Sequence, residues 1–318
     1  MKAMRLHEPV GIRGLVYEEA PDPAPAVGDV LVKVHACGIT PTELDWPLWT
    51  DRAGHKRGYI IPAHEFSGVV AALGYGTAGV AVSDEVFGLI DGYRDGAAAE
   101  YIAIEARDVA PKPRTIDHVH AAAIPQAGLT SWQALFDHGH LASGQTVMIH
   151  GAGGALGLAA VQLARSVGAH VIGTGRRGVK SVVLEAGDDS CVDLEQSGWE
   201  DAVGQVDLVF DTIGGDVLAR SVAIVKPGGA LVTVIAPPPA VREDIRIVNF
   251  VREPNRAQLV ELARMLDAGQ LRAQVGAVYQ LCRCAERLHS QVQPRGGGQG
   301  HPSALSRRRL KQSPPEEM

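Results

Sequence analysis

Three glycines, Gly151, Gly154 and Gly157, recur at three-residue spacing in the stretch HGAGGALG. At a dinucleotide site such glycines do three things: one permits a turn with positive φ, one lets the backbone approach a pyrophosphate, and one lets a helix pack closely on its strand. Amides at a helix start lack partners within the helix, so those of Ala155 and Leu156 would suit a phosphate anion. The spacing therefore predicts a dinucleotide site, with a plain glycine-rich turn as the alternative.

Basic residues follow the next predicted strand. An NAD site usually carries Asp or Glu about twenty residues past the glycines to hold the ribose 2′-hydroxyl, whereas NADP requires cations for its 2′-phosphate. No carboxylate stands at this position, and guanidinium groups match phosphate oxygens in two-point contacts. The sequence therefore predicts NADPH, held here by Thr174, Gly175, Arg176, Arg177 and Lys180. If the two arginines are only solvated loop residues, the choice of cofactor stays open.

The elements that must position these residues form a βαβ unit. Residues 146–150 are a short apolar run rich in β-branched residues, which predicts a buried strand. From Ala155 small and apolar residues recur at helical spacing until Gly168, and a second strand is predicted over residues 170–174. A strand, a glycine turn, a helix and a strand in this order are typical of a Rossmann domain.

The rest of the chain predicts an α/β protein with two kinds of domain. A β-rich domain is indicated by four short runs bounded by glycine and proline, namely VLVKV (30–34), GVVAAL (68–73), EVFGLI (85–90) and EYIAI (100–104). Strand-like runs at about 191–192, 206–210 and 230–235 alternate with helical or turn segments, which predicts a doubly wound parallel sheet. Residues 256–268 predict an amphipathic helix.

Composition and charge exclude several classes of function. With 318 residues, of which 46% are hydrophobic and 21% charged, the chain has the composition of a globular protein of two domains. Its net charge of −6 argues against nucleic acids and anionic membranes as partners. The sequence has neither a signal-like N-terminus nor an apolar run of about eighteen residues, so we expect a cytoplasmic location. Four scattered cysteines suit free thiols in a reducing compartment.

Several segments along residues 1–280 resemble one family in its own order. They are VLVKVHACGITPTELD, IIPAHEFSGVV, SDEVFGL, AAEYIAI, AAAIPQAGLTSWQAL, HGAGGALG, VDLVFDTIGG and VAIVKPGGALVTV. The family is the zinc-independent quinone oxidoreductases of the medium-chain dehydrogenase/reductase superfamily, which also contains enoyl reductases. The resemblance implies a GroES-like catalytic domain over residues 1–120, completed by part of 250–281, and a Rossmann domain over 121–249. We further expect a homodimer and an irregular, disordered tail over residues 282–318, which are rich in Arg, Gln, Gly and Pro.

The same superfamily contains zinc-dependent alcohol dehydrogenases, so the metal ligands need separate attention. In those enzymes the catalytic zinc is held by a Cys, by the His of a G-H-E motif and by a second Cys, because Zn²⁺ favours thiolate and imidazole ligands. The resemblance places Thr40, His64 and Gln126 at these positions. Cys37 lies three residues too early and is expected to be a small core residue. We therefore expect no metal, with His64 and Glu65 in a hydrogen-bonded turn.

Other residues around the cofactor also follow from the resemblance. Thr130 should lie near the nicotinamide, with a role as the cap of a helix beginning at SWQALF as the alternative. Thr212, Gly214 and Gly215 of the DTIGG turn should line the dinucleotide cleft.

The substrate segment, GITPTELDWPLW, departs from the family, which often shows Asn followed three residues later by Asp. Thr40 and Glu43 stand at these places, and Thr40 is a candidate donor to the substrate oxygen. Trp46 and Trp49 would form an aromatic wall for a ring-shaped substrate, or else belong to the core.

A metal-free cleft favours conjugated acceptors over isolated ketones. In an enone or a quinone the negative charge spreads onto an enolate or phenolate oxygen, which a few hydrogen bonds can stabilise. The sequence thus predicts a zinc-independent, NADPH-dependent reductase of an enone C=C bond or a quinone, such as an enoyl reductase of polyketide-type metabolism. A zinc-free alcohol or aldehyde dehydrogenase and a non-catalytic NADPH-binding protein are the alternatives.

Overall fold

The computed structural model describes residues 1–46, 48–175, 180–187, 189–194, 198–238 and 242–285. Within these ranges the strands are β1 (Lys2–Leu6), β2 (Leu15–Glu19), β3 (Asp29–Gly38), β4 (Glu65–Leu73), β5 (Glu85–Leu89), β6 (Tyr101–Glu105), β7 (Val109–Pro111), β8 (Thr146–Ile149), β9 (His170–Gly175), β10 (Ser190–Asp193), β11 (Val206–Asp211), β12 (Val225–Thr233) and β13 (Arg246–Asn249). The helices are α1 (His118–Ala122), α2 (Pro125–Trp132), α3 (Ala155–Ser166), α4 (Lys180–Ala186), α5 (Trp199–Val203), α6 (Gly215–Ser221) and α7 (Arg256–Asp267).

The predicted doubly wound sheet is confirmed. Its order is β10-β9-β8-β11-β12-β13, and every neighbouring pair is parallel. Numbered along the chain within this sheet, the strands follow the order 3-2-1-4-5-6 of a Rossmann domain. The order reverses between β8 and β11, so a ligand crevice is expected beyond the carboxyl ends of these two strands.

Both faces of the parallel sheet are buried. Val147 and Ile149 of β8 pack into the apolar cluster that also contains α3 and α7, whereas Met148 packs into the cluster on the opposite face. This alternation follows from the two-residue period of a strand. Because helices cover each face, all three side chains are apolar, as the uninterrupted hydrophobic run predicted.

The β-rich domain is also confirmed. It contains a five-stranded sheet of order β6-β3-β4-β5-β7, in which every neighbouring pair is antiparallel, and a separate pair of β1 with β2. The inner face of the larger sheet contributes Val30, Phe66, Val86 and Ile104 to one core. Each of the four predicted strand segments overlaps one strand of this sheet, with ends that differ by at most one residue for EVFGLI and EYIAI.

Helix α7 carries the chain from the parallel sheet back to the β-rich domain. Asn255 caps its start by accepting the amide of Gln258, and the predicted apolar side is buried, with Leu259, Leu262 and Leu266 in the core. At the same boundary Arg256 donates to the carbonyl oxygens of Ala106 and Val109 at 3.0 and 2.6 Å.

The expected irregular tail is partly corrected. Leu281–Arg283 form a 3₁₀ turn, and Leu281, Cys284 and Ala285 pack against the apolar cluster around Met4 and Leu44. Residues 282–285 therefore belong to the folded part of the chain, because their apolar side chains cover the N-terminal core. Residues 286–318 lie outside the described part. Among the described helices, none is both long and apolar enough to cross a bilayer.

Candidate active site

The glycine turn follows β8 directly, at the place where the strand order reverses. Gly151 has a φ of +72°, and a Cβ atom there would meet Thr212 Oγ1 at 2.5 Å. A Cβ atom on Gly157 would overlap the carbonyl oxygen of Gly151 and lie 2.5 Å from Ala152 Cα. One glycine is thus required by the turn and the other by the contact between helix and strand.

The third glycine begins α3. Gly154 is the N-cap residue and makes no side-chain cap, and both Gly154 and Ala155 are exposed. Ser131 of α2 donates to the carbonyl oxygen of Leu156 at 2.8 Å, which fixes the first turn of the helix. The start of this 12-residue helix is therefore open on the side where the glycines leave space for an anion.

Thr174, predicted to contact the cofactor, makes hydrogen bonds to residues of the glycine turn. It is fully buried, its Oγ1 lies 3.0 Å from Nδ1 of His150, and its carbonyl oxygen accepts the amide of Ala152. Gly175 ends β9. Arg176 and Arg177 lie outside the described residues, and for Lys180 the structure describes the backbone at the start of α4 but not the side chain.

His150 links three elements below the same turn. Its imidazole is fully buried, with Nε2 2.7 Å from Oγ of Ser221, and Ser221 in turn donates to the carbonyl oxygen of Val217. Burial lowers the pKa of His150 to about 3, so the ring is neutral. In addition, Thr212 donates to the carbonyl oxygen of His150 at 2.7 Å.

The DTIGG turn lies beside the glycine turn, at the carboxyl end of β11. Asp211 is fully buried and accepts the amides of Ile213 and Gly214 and the hydroxyl of Thr233 at 2.9–3.2 Å. Gly214 and Gly215 have φ values of +76° and +62°. The sheet thus brings Thr212, Gly214 and Gly215 together with the glycine turn.

A buried acid–imidazole pair lies in the β-rich domain. Glu43 Oε1 accepts the amides of Ala63 and His64 at 2.8 and 3.1 Å, and it lies 2.5 Å from His64 Nδ1. A hydrogen on Nδ1 therefore faces the carboxylate, and Nε2 points away from it. His64 is only 2% exposed, yet its Nε2 has no hydrogen-bond partner in the part of the chain that the structure describes.

A second polar chain runs beside this pair. Glu65 Oε2 accepts the amide of Gln126, whose side-chain Oε1 accepts Nε of Arg252, each at 2.9 Å. Burial raises the pKa of Glu65 to about 8, against the lowering effect of the Gln126 amide. Burial likewise lowers the pKa of Arg252, which the carboxylates of Glu43 and Glu65 oppose.

Trp46 borders both groups. Its ring centroid lies 6.4 Å from that of His64, and Cζ of Arg252 lies 4.6 Å from the centroid of Trp46. Trp46 and Trp49 are both partly buried against the N-terminal apolar cluster. Of the two tryptophans predicted for an aromatic wall, Trp46 also adjoins the polar groups.

The two predicted threonines occupy different settings. Thr40 precedes the 3₁₀ helix Pro41–Asp45, and its carbonyl oxygen accepts the amide of Glu43. Thr130 lies inside α2, where its hydroxyl donates to the carbonyl oxygen of Gln126 at 2.7 Å. The alternative that Thr130 caps a helix is wrong, because Pro125 begins that helix five residues earlier.

The places that correspond to catalytic zinc ligands do not fit this metal. They offer a hydroxyl, an imidazole and an amide, and the amide oxygen already accepts from Arg252. Cys37 lies within β3, where burial raises its pKa to about 12 and so disfavours a thiolate. Among the described residues, no group of three His, Cys, Asp or Glu side chains could hold a metal ion. Tetrahedral zinc requires more nitrogen or sulfur ligands than these.

The sequence did not predict Arg252, which connects the end of β13 to Gln126 and Trp46. It lies three residues beyond β13, on the edge of the parallel sheet where the strands end. Ligands of such sheets bind at the carboxyl ends of the strands, so a basic residue just past β13 was a usable signal.

Comparisons with known proteins agree with this architecture. The profile of the alcohol dehydrogenase GroES-like domain matches residues 26–114, and that of zinc-binding dehydrogenases matches residues 186–291. Together the two matches cover more than half of the chain.

Individual proteins are similar over most of the chain. A quinone oxidoreductase of Pongo abelii is 26% identical over 90% of this chain and 92% of its own length. A 2-methylene-furan-3-one reductase of Solanum lycopersicum is 30% identical over 76% of this chain, which spans 63% of that protein. The structure of the quinone oxidoreductase from Coxiella burnetii superposes with a TM-score of 0.82 at 24% identity, covering 91% of this chain and 95% of that one. The chain belongs to the medium-chain dehydrogenase/reductase superfamily, a family of oxidoreductases that use nicotinamide cofactors.

Proposed function

We propose that this protein is an NADPH-dependent reductase of conjugated acceptors, either an enone C=C bond or a quinone, and that it works without a metal ion. One observation carries the proposal: the places of the zinc ligands hold Thr40, His64 and Gln126, in a chain that also has a Rossmann glycine turn. An acceptor in this cleft must delocalise its own negative charge, because no Lewis acid is provided for it.

The cofactor assignment rests on the two ends of the βαβ unit. Gly151 permits the turn after β8 and Gly157 permits the close contact of α3 with that turn, as at a dinucleotide-binding glycine turn, which supports a dinucleotide. β9 ends in Gly-Thr-Gly without a carboxylate, and the basic residues Arg176, Arg177 and Lys180 follow in the sequence, which favours the 2′-phosphate of NADPH. When bound, the reduced nicotinamide supplies a hydride from its C4 atom.

The acceptor class follows from chemistry and from the relatives. Hydride addition to a conjugated system places negative charge on an oxygen, where hydrogen-bond donors of the cleft can stabilise it. The relatives from Pongo abelii and Solanum lycopersicum are named for a quinone and for a methylene-furanone, respectively, and both are conjugated carbonyl compounds. Small molecules of this class are the proposed substrates. We also propose the domain bounds, homodimer and cytoplasmic location expected from the sequence.

Steady oxidation of NADPH with a panel of enones and quinones tests this proposal. We expect turnover with at least one conjugated acceptor, none with isolated ketones, and no loss after treatment with a chelator. Product analysis then distinguishes a saturated alkene from a hydroquinone. Affinity for NADPH without turnover on any acceptor would instead favour a non-catalytic binding protein, and stoichiometric zinc in the purified protein would contradict the metal-free mechanism.

A further inference from the structure

Arg252 is the cation that reaches the substrate side of the cleft from the parallel sheet. It follows β13, donates from Nε to Gln126 Oε1 at 2.9 Å, and stacks its guanidinium on the ring of Trp46. These contacts fix the plane of the guanidinium, because one edge is hydrogen-bonded and one face is covered. The group is therefore held in place before any ligand arrives.

The hydrogen-bonding capacity of this guanidinium is largely unused. Its two Nη atoms make no hydrogen bond to any residue that the structure describes, and neither is sealed away from solvent. Two arginines of the β-rich domain differ, since Arg57 is paired with Asp95 and Arg94 with Asp29. A partly buried arginine with free Nη–H groups can bind an oxygen anion in two-point fashion.

Arg252 is joined to the β-rich domain through Gln126, whose side-chain Oε1 accepts from Arg252 and whose main-chain amide donates to Glu65. His64 also lies near Trp46, and its buried Nε2 has no partner among the described residues. Two polar side chains thus adjoin one aromatic ring, and one of them, His64, corresponds to a zinc ligand of related enzymes.

We propose that Arg252 supplies the fixed positive charge that a metal ion would otherwise supply, by donating from its Nη atoms to the oxygen on which negative charge collects. In the reaction proposed above, on which this role in turnover rests, bound reduced nicotinamide would give a hydride to the acceptor and be oxidised. The oxygen of the acceptor would then be an anion paired with Arg252. Water then provides the proton that completes the reduction.

Binding of 4-nitrophenolate tests the site independently of turnover. The full-length protein saturated with NADP⁺ is titrated with this anion, and the phenolate absorption band reports the bound fraction. We expect Arg252→Met to weaken binding about 10- to 100-fold, because a hydrogen bond to a charged group is lost. Arg252→Lys keeps a charge opposite Glu43 and Glu65 but loses the planar fork, so we expect an intermediate affinity.

Arg256→Met is the matched control. Arg256 lies four residues further along, and its guanidinium donates to the main-chain carbonyl oxygens of Ala106, Val109 and Gly79. Its removal should lower the unfolding midpoint and leave phenolate affinity unchanged. A purely structural role for Arg252 predicts the same pattern for Arg252→Met, which would overturn the assignment.

The remaining outcomes separate this inference from the proposed function. No phenolate binding by the wild type would overturn the site, and NADPH oxidation with an enone would in that case still support the reductase. Conversely, Arg252-dependent binding without turnover on any acceptor would support the anion site and contradict the proposed reaction. With turnover, we expect Arg252→Met to lower kcat at unchanged NADPH affinity, and ethylguanidinium to restore part of the activity of Arg252→Ala. Should Arg252→Met fail to fold, unchanged phenolate affinity in Arg252→Lys would overturn the fork-type contact.

Discussion

The glycine turn and the polar cluster around His64 and Arg252 are built in different ways. In the turn, the backbone itself forms the site, and Gly151 and Gly157 are fixed by the absence of a Cβ atom. In the cluster, side chains from four separate segments meet, namely Glu43, His64, Gln126 and Arg252. A backbone site leaves a short local pattern in the sequence, whereas a side-chain cluster is defined only once the chain has folded.

The largest expected effect concerns the two arginines that are predicted to bind the 2′-phosphate of NADPH. Replacing both Arg176 and Arg177 with Ala should weaken NADPH binding by about 3–6 kcal/mol relative to NADH, since each charged hydrogen bond contributes about 1.5–3 kcal/mol. Calorimetric titration with the two cofactors measures the difference. Equal losses for NADPH and NADH would contradict the phosphate assignment.

An effect of similar size is expected in the side-chain cluster. Glu43→Ala should lower the free energy of unfolding by about 3–5 kcal/mol, because it breaks a buried pair and leaves two amides and the His64 ring without their acceptor. Urea unfolding gives the value. Glu261→Ala removes an exposed carboxylate paired with Arg264 and should change stability by no more than about 1 kcal/mol. Similar losses in both variants would mean that the buried cluster adds little.

The buried imidazole behind the glycine turn makes stability depend on pH. The pKa of His150 is about 3 in the folded protein, against an ordinary value of 6.5, so the unfolded chain binds the proton more readily. The stability that this difference contributes is fully present above pH 6.5 and is lost as pH falls toward 3. Lowering the pH by about two units below 6.5 should therefore cost about 2–3 kcal/mol from this group alone.

Urea unfolding at several pH values, compared between the wild type and His150→Gln, isolates this contribution. Glutamine can still reach one of the two hydroxyls but does not titrate, so its stability should fall less steeply with acid. Parallel pH profiles for the two proteins would show that the imidazole is not held neutral in the fold.

A smaller effect is expected from a substitution in the glycine turn itself. Gly157→Ala should cost about 1–3 kcal/mol and weaken cofactor binding, because the added Cβ overlaps the carbonyl oxygen of Gly151. Gly58→Ala is the control, since no atom lies within 4 Å of a Cβ there and its φ is not positive. Cofactor affinity and unfolding midpoint are measured for both. If the two variants behave alike, close packing at the start of α3 is not what the glycine provides.

The glycine turn and the side-chain cluster also differ in how far the sequence could predict them. The βαβ unit, the doubly wound class of its sheet and the apolar side of α7 could be predicted, because each follows from hydrophobic patterns along short segments. Thr174 was predicted to face the cofactor, but the strand turns its hydroxyl toward His150, which no local pattern indicates. Arg252 is separated by 126 residues from Gln126, and only the folded chain brings them together.

The smallest expected change separates a structural from a catalytic role at Thr130. Its hydroxyl donates to the carbonyl oxygen of Gln126 within the same helix, a bond that contributes little to helix stability. Thr130→Val should therefore alter the free energy of unfolding by no more than about 0.5 kcal/mol. The neighbouring Ser131 joins α2 to Leu156 of α3, so Ser131→Ala should cost about 1 kcal/mol. If Thr130 also contacts the nicotinamide, Thr130→Val will lower kcat without a matching loss of stability; unchanged kcat would leave Thr130 a helix residue only.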